Sequence, residues 1–181
     1  MRARRRNRPS SRKAEDELPL LAVDVDGVVL LLGGGGGDEG APGAVQFELI
    51  DGIVHRVSIG AGDCLRRLSD HFELVWATGW QARANDHFPG LLGLPRLPYV
   101  DFGGAAKFGS AHWKLEPLDA YARGRPLAWV DDNFDDICFE WATVREEPTL
   151  LVPVDPRHGL RDQEAETLVT WARPFAPLSR G

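Results

Sequence analysis

Two aspartates interrupt a run of otherwise buried-type residues, "LLAVDVDGVVLLL" at positions 20–32. Asp24 and Asp26 are two positions apart, so both side chains leave an extended strand in the same direction. A carboxylate moved out of water without a partner costs several kcal/mol or takes up a proton. Two of them in one apolar run therefore require something that compensates their charge.

Polar residues also close two later apolar runs. "LVWATG" ends in Thr78 and Gly79, and "LAWVDD" ends in Asp131 and Asp132. Ligands of open parallel sheets bind beyond the carboxyl ends of the strands, where all these residues would converge. Four carboxylates at one edge repel one another unless a divalent cation lies among them, and such hard oxygen ligands suit Mg²⁺. The sequence therefore predicts a Mg²⁺ site where the three strand ends meet.

The elements that must position these residues alternate along the chain. Short apolar runs bounded by turn residues predict strands at "LPLLAVDV", "HFELVWAT", "LPYVDF", "RPLAWVDD" and "PTLLVPVD". Amphipathic patterns predict helices in "GDCLRRLSDH", "NFDDICFEWATVREE" and "RDQEAETLVTWARPF". The buried face predicted for the second helix comprises Phe134, Ile137, Cys138, Trp141 and Val144. This alternation predicts an α/β fold, a Rossmann-like three-layer sandwich with a central, mainly parallel sheet.

One segment departs from the alternation. "VQFELIDGIVHRVSI" contains two strand-like runs joined by Asp51-Gly52, a strong signal for a two-residue hairpin turn. It predicts a β-hairpin flap after strand one. Only residues 30–71 separate the first motif from the second strand, which leaves too little chain for a large cap domain. We therefore expect an open site.

Charge is distributed unevenly along the 181 residues, a length that suits one domain. The first 13 residues hold seven of the 21 Lys and Arg residues and no acid, whereas the chain has 27 Asp and Glu in all. We predict a basic, disordered tail over residues 1–18 and one domain over residues 19–181. An arm that contacts nucleic acid or an acidic surface, or a misplaced start codon, are the alternatives for the tail.

The composition also bears on the cellular compartment in which the protein is expected. No apolar run approaches the ~20 residues that a membrane helix needs, so no membrane partner is expected. The two cysteines, Cys64 and Cys138, form neither a metal-ligand spacing nor a disulfide framework. Two buried thiols in a reducing cytoplasm are the expectation.

Taken together, the motifs resemble those of haloacid dehalogenase-like (HAD) superfamily phosphohydrolases over most of residues 19–174. That family's first motif is an apolar strand ending Asp-x-Asp-Gly, matched by "AVDVDGVV", and its second is a strand ending in Thr or Ser, matched by "LVWATG". Its third is a Lys or Arg ahead of the fourth, a strand ending in paired acids, matched by "LAWVDD". The longer string with "WATGW", "HWK" and "PTLLVPVDP" is similar to HAD domains attached to bacterial RNA-repair proteins.

The resemblance implies a role for each matched residue. Asp24 would be the nucleophile that forms an aspartyl-phosphate, and Asp26 would protonate the leaving oxygen and then deprotonate water. Thr78, with Gly79 beside it, would bind the phosphoryl oxygens. The metal ligands that the resemblance implies are Asp24, the Val25 carbonyl, Asp26, Asp131 and Asp132. Whether Asp131 or Asp132 is the direct ligand stays open.

The basic residue of the third motif is chosen among three lysines, Lys13, Lys107 and Lys114. Lys13 lies in the tail, and Lys107 lies in the Gly-rich "DFGGAAKFGS", where a solvated loop lysine is the expectation. Lys114 lies just before the predicted helix "EPLDAYARG" that leads to the fourth motif, with Pro117 suited to a first helical position. Lys114 is therefore the predicted catalytic and phosphate-binding lysine.

The resulting prediction is a Mg²⁺-dependent HAD-type phosphatase that hydrolyses phosphomonoesters. An open site favours nucleic-acid ends or another large phosphorylated substrate, although the acidic body disfavours broad affinity for nucleic acid. The alternative is a non-catalytic, metal-binding regulatory or interaction module with the same fold. Nothing in the sequence indicates the oligomeric state.

Overall fold

The computed structural model describes residues 17–33, 45–104 and 109–176, so most of the predicted basic tail lies outside the described residues. The strands are β1 (Leu20–Val23), β2 (Leu30–Leu31), β3 (Val45–Ile50), β4 (Ile53–Ser58), β5 (Glu73–Trp76), β6 (Leu127–Asp131) and β7 (Thr149–Pro153). The α-helices are α1 (Ile59–Leu68), α2 (Ala84–Leu92), α3 (Leu115–Ala122), α4 (Asp136–Val144) and α5 (Asp162–Ala172). Short 3₁₀ helices cover Gln81–Arg83, Ala111–Lys114 and Arg173–Phe175.

The central sheet has the order β5-β1-β6-β7, and every neighbouring pair is parallel. Val23, the last residue of β1, pairs with Trp76 on one side and with Val130 on the other. The three strands therefore end nearly level, and the residues that follow them leave the sheet at one edge. This register places the predicted motifs together.

Helices cover both faces of this sheet. Alternate side chains of β1 enter two separate cores, Leu21 and Val23 on one face and Leu20 and Ala22 on the other. The first core is closed by α1, α2 and α5, and the second by α3 and α4. All four side chains of β1 are buried, as expected for a central parallel strand. The predicted three-layer α/β sandwich is confirmed.

The hairpin predicted after strand one is also confirmed. β3 and β4 are antiparallel, and the two turn residues, Asp51 and Gly52, both have positive φ (53° and 80°), as a type I′ turn requires. The short β2 pairs with β4 and makes this a second, three-stranded sheet of order β2-β4-β3. β2 begins four residues after Asp26, so the hairpin is attached next to the predicted site.

The predicted strand "LPYVDF" is wrong in extent, because it forms only an isolated parallel bridge between Tyr99 and Trp76. Trp76 exchanges backbone hydrogen bonds with the Pro98 carbonyl (2.9 Å) and the Val100 N–H (2.8 Å). Pro98 has no N–H to donate, so the ladder does not extend. No helix of the described residues has the length and apolar character to cross a membrane.

The buried face predicted for α4 is wrong in part. Cys138 is buried, and Trp141 and Phe134 pack on the core around Trp129, whereas Ile137 and Val144 are exposed. The helix begins only at Asp136, so Phe134 enters the core from the preceding loop. The buried stripe of the helix is correspondingly narrower than the apolar pattern indicated.

Candidate active site

Three carboxylates meet where the central strands end. Oxygen atoms of Asp24, after β1, and of Asp131 and Asp132, at the end of β6, lie within 4.8 Å of one another. They line an open cleft of about 470 Å³ whose walls include Gly79 and Trp113. The predicted convergence at one sheet edge is therefore present in the structure.

Lys114 lies between two of these acids. Its Nζ donates hydrogen bonds of 2.7 Å to Oδ2 of Asp24 and of 2.7 Å to Oδ2 of Asp131, and the residue is only 4% exposed. Burial lowers the pKa of Lys114, but the charges of the two aspartates outweigh it and leave the pKa above its usual value. The ammonium therefore stays charged. Lys107 lies outside the described residues.

The segment that carries Lys114 is attached to the loop after β6. His112 Nδ1 lies 2.7 Å from Oδ2 of Asp135, and the Ser110 hydroxyl donates to the same carboxylate. These two contacts hold the pKa of Asp135 well below its usual range. Asp135 also caps the N terminus of α4. The 3₁₀ turn under Lys114 is thus fixed against the element that follows the acidic strand end. Sequence patterns gave no signal for this arrangement, because its partners are more than 20 residues apart.

The helix after Lys114 begins earlier than predicted. α3 starts at Leu115, so Pro117 is its third residue rather than its first. Proline is still compatible with this place, since the N–H groups of the first helical turn have no intrahelical partner. The 3₁₀ turn ending at Lys114 leads directly into α3, which lets the lysine sit at the sheet edge while the helix covers the second core.

The electrostatics of the cluster favour an additional cation. Burial, followed by the charge of Asp24, raises the pKa of Asp131 to about 7 and that of Asp132 to about 6. The same two causes raise the pKa of Asp26. Among the described residues, the Lys114 ammonium forms ion pairs with two of these four carboxylates, those of Asp24 and Asp131. Hard carboxylate oxygens this close together, with a shortage of positive charge, fit Mg²⁺.

Gly27 makes room for Asp132. Its φ is +72°, and a Cβ built there would lie 2.3 Å from the carboxyl carbon of Asp132. No real contact is that short, so a side chain at this position would displace the acid. The glycine that ends "DVDG" is therefore needed both for the left-handed turn and for the place of a candidate metal ligand.

The structure does not support Val25 as a metal ligand. Its carbonyl accepts hydrogen bonds from three N–H groups of the following turn, those of Val28, Val29 and Leu30. An oxygen that already accepts three hydrogen bonds has little capacity left for a metal ion. Asp26 is also outside the group of three acids whose oxygens lie together.

Thr78 and Gly79 follow β5 as predicted, but they differ in access. Gly79 lines the cleft, while Thr78 has no exposed surface. The Thr78 hydroxyl oxygen accepts a hydrogen bond of 3.3 Å from the backbone N–H of Trp80. Its own proton is then free to be directed to another acceptor, so the hydroxyl can act as a donor at this strand end.

Trp80 connects the site to the hairpin. Its Nε1 donates a hydrogen bond of 3.0 Å to Oδ2 of Asp26, and its ring meets His55 of β4 edge-on at 5.9 Å. Arg83 lies 5.6 Å over the same ring and forms an ion pair with Asp51 at the hairpin turn. The sequence signal for this contact is no more than the place of Trp80, two residues after Thr78.

Comparisons with known proteins agree with this geometry at the level of the fold. The HAD domain of effector protein Lem4 from Legionella pneumophila superposes with a TM-score of 0.55 at 12% identity, covering 89% of this chain and 98% of that domain. The chain thus has a HAD-like fold. Neither a scan of protein-family models nor a search of curated proteins gives a match.

Two further solved structures are similar at TM-scores below 0.5, and no argument rests on them. A hypothetical protein from Xanthomonas campestris has a TM-score of 0.45 and 13% identity, covering 90% of this chain and 87% of that chain. The 3-deoxy-D-manno-octulosonate 8-phosphate phosphatase from Yersinia pestis has a TM-score of 0.43 and 17% identity, covering 92% of this chain and 90% of that chain.

Proposed function

We propose that this protein is a HAD-type phosphatase, a Mg²⁺-dependent phosphomonoester hydrolase that acts through an aspartyl-phosphate on Asp24. The observation that carries the proposal is the environment of the Asp24 carboxylate. One of its oxygens accepts the Val25 N–H at 2.7 Å and the other accepts the Lys114 ammonium at 2.7 Å. A carboxylate so oriented, beside the cleft and two residues before a second acid, is equipped to act as a nucleophile.

In the first step, a carboxylate oxygen of Asp24 attacks phosphorus and the bond from phosphorus to the leaving oxygen breaks. Asp26 gives its proton to that oxygen. Burial and the neighbouring charge of Asp24 raise the pKa of Asp26, which favours the protonated form that this step needs. Lys114 and the Thr78 hydroxyl are the donors assigned to the phosphoryl oxygens, with Gly79 forming the adjacent wall.

In the second step, a water molecule attacks the phosphorus of the aspartyl-phosphate. Asp26, now ionised, takes a proton from this water, the bond from phosphorus to Asp24 breaks, and inorganic phosphate leaves. The hydrogen bond from Trp80 stabilises the ionised form of Asp26 that acts here. The same carboxyl group thus serves as acid and then as base.

The residues assigned to Mg²⁺ are Asp24, Asp131 and Asp132. When bound there, the ion would offset the negative charge shared by these carboxylates and the incoming phosphoryl group. Asp26 is assigned to proton transfer instead, because its carboxylate bonds to Trp80 and lies outside the group of three.

The cleft supports a large substrate. It is open, and its lining includes no residue of the β3–β4 hairpin. We assign phosphorylated nucleic-acid ends, or another large phosphorylated molecule, as the substrate class, and the cytoplasm as the compartment. A screen of 3′- and 5′-phosphorylated oligonucleotides against phosphorylated metabolites tests the substrate class, and preferred turnover of a metabolite would contradict it.

Hydrolysis of 4-nitrophenyl phosphate with and without Mg²⁺ tests the activity itself. We expect turnover that requires the ion and is lost in Asp24→Asn, while Asp70→Asn, an exposed change on the loop after α1, retains it. Full activity of Asp24→Asn would overturn the mechanism. Mg²⁺ binding by the native chain without turnover of any phosphomonoester would favour a non-catalytic metal-binding module.

A further inference from the structure

The hairpin has one covered face and one apolar face that is open. Ile50 and Val57 are buried against the domain, whereas Phe47, Leu49 and Val54 on the opposite face are 68%, 70% and 64% exposed. Leu49 and Val54 are direct cross-strand neighbours, so these side chains form one patch. Arg56 is the cross-strand neighbour of Phe47 on the same face. Clustered exposed apolar side chains of this size are typical of an interaction site.

The outer edge of β3 is unpaired among the described residues, since the second sheet has the order β2-β4-β3. The type I′ turn makes Ile50 and Ile53 a hydrogen-bonded pair, so the backbone N–H and C=O groups of Val45, Phe47 and Leu49 point away from β4. The edge is six residues long, with no Pro, no Lys and no break in its pairing to β4. Edge strands that avoid pairing with another chain usually carry a Pro, a Lys or a β-bulge.

We propose that β3 pairs with β3 of a second copy of this chain, antiparallel and about a two-fold axis at Phe47. In this register Val45 lies opposite Leu49 of the second copy, and Phe47 lies opposite its own equivalent. Every outward-pointing backbone group of the strand then meets a partner. Val45, Phe47 and Leu49 each gain an apolar cross-strand neighbour, which is the pairing that stabilises antiparallel sheets.

The opposite face of the same strand fits the same register. Gln46 lies across from Glu48 of the second copy, so an amide faces a carboxylate at both ends of the pair. Gln46 and Glu48 already form this hydrogen bond within one strand, from Nε2 to Oε1. Moving the axis one residue toward the turn would place Glu48 opposite Glu48, and like charges directly opposed destabilise a strand pair. Moving it one residue the other way would leave Leu49 without a partner in β3. The strand is therefore complementary to itself about Phe47, as a two-fold interface requires.

The pairing would join the two three-stranded sheets into one of six strands. Each hairpin reaches its own cleft through His55 against Trp80, so the dimer would hold both hairpins beside their sites. The proposal does not depend on hydrolysis. It concerns an edge and a face that lie on the far side of the hairpin from the carboxylates.

Sedimentation velocity of the full chain tests the interface without substrate or Mg²⁺. We expect a species of twice the 20.0 kDa chain mass for the native protein and for Val144→Glu, an equally exposed apolar site on α4. Leu49→Glu should shift the mass to one chain. The double variant Val45→Lys with Leu49→Glu should recover the dimer, because the introduced cation of one copy lies opposite the introduced carboxylate of the other.

Circular dichroism of each variant shows whether the fold is retained, which is expected since Leu49 and Val144 are largely exposed and Val45 is only half-buried. A native protein of single-chain mass across the measured concentrations would overturn the proposal. A dimer that persists unchanged in Leu49→Glu would place the interface elsewhere and overturn it as well. A Leu49→Glu monomer that the second substitution does not restore would contradict the register about Phe47.

Discussion

The indole N–H of Trp80 donates a hydrogen bond of 3.0 Å to the carboxylate of Asp26, which joins the residue two places after Thr78 to the acid that follows β1. Asp26 is the residue proposed to act first as acid and then as base. The contact joins it to the Trp80 ring, which also meets His55 of the hairpin. A carboxylate that must carry a proton in one step and lose it in the next depends on its orientation in both.

Trp80→Phe removes the donor but keeps an aromatic ring. We expect about a tenfold loss in kcat on alkyl phosphates, as for a hydrogen bond to a charged group, and a smaller loss on 4-nitrophenyl phosphate. An alkoxide needs a proton to leave, whereas nitrophenolate departs with little help. Kinetics on both substrates check this, with Trp171→Phe on α5 as the control. Equal losses on the two substrates would assign the contact to the second step, which both substrates share. A further loss in an Asp26→Asn background would argue against the contact's role.

Gly27→Ala is expected to displace Asp132, since the new methyl group would lie 2.3 Å from its carboxyl carbon. Gly52→Ala is a matched control. Its φ is also positive and nothing lies within 4 Å of a Cβ there, so both variants carry the left-handed backbone cost of about 1 kcal/mol, but only the first moves the acid. Titration of activity with Mg²⁺ should show a raised requirement in Gly27→Ala alone. The same shift in both variants would assign the effect to backbone strain.

Lys114→Ala leaves Asp24 and Asp131 buried without their cation. Breaking a buried ion pair from one side costs about 3 kcal/mol or more, so thermal unfolding should occur at a clearly lower temperature. Activity should also fall far more than in Lys107→Ala. Because Mg²⁺ would supply the missing positive charge, it should raise the melting temperature of Lys114→Ala more than that of the native protein. Equal losses of activity in Lys114→Ala and Lys107→Ala would argue against Lys114 as the basic residue of the third motif.

The two cysteines should be unreactive in the folded protein. Cys64 and Cys138 are buried, and burial raises the pKa of both thiols, that of Cys138 to about 11. The thiolate is the reactive form, so little of it exists at pH 8. Labelling with a chromogenic disulfide reagent at that pH should be slow for native protein and fast for both thiols in urea. Rapid native labelling of one thiol would show that its part of the core opens.

Local sequence pattern was enough to predict which polar residues lie at the strand ends. Asp24, Asp26, Thr78 and Asp131 each terminate an apolar run, and a run that ends in a polar residue is a local feature that does not depend on the rest of the chain. The alternation of runs also sufficed for the three-layer fold and, with Asp51-Gly52, for the hairpin. Once the strands are parallel and level, their ends must meet, so the carboxylate cluster followed from local pattern and sheet geometry.

Tertiary structure decided which groups face one another across that edge. The order β5-β1-β6 places Asp24 beside Asp131 and lets one ammonium bridge them, and no spacing in the sequence states this order. The Val25 carbonyl accepts hydrogen bonds from three N–H groups of the turn after β1. A buried backbone acceptor bonds to such neighbouring donors, and the sequence does not show that the turn brings them there. The contact of Trp80 with Asp26 likewise depends on how two loops pack, and partners that the fold alone brings together leave no periodic signal in the chain.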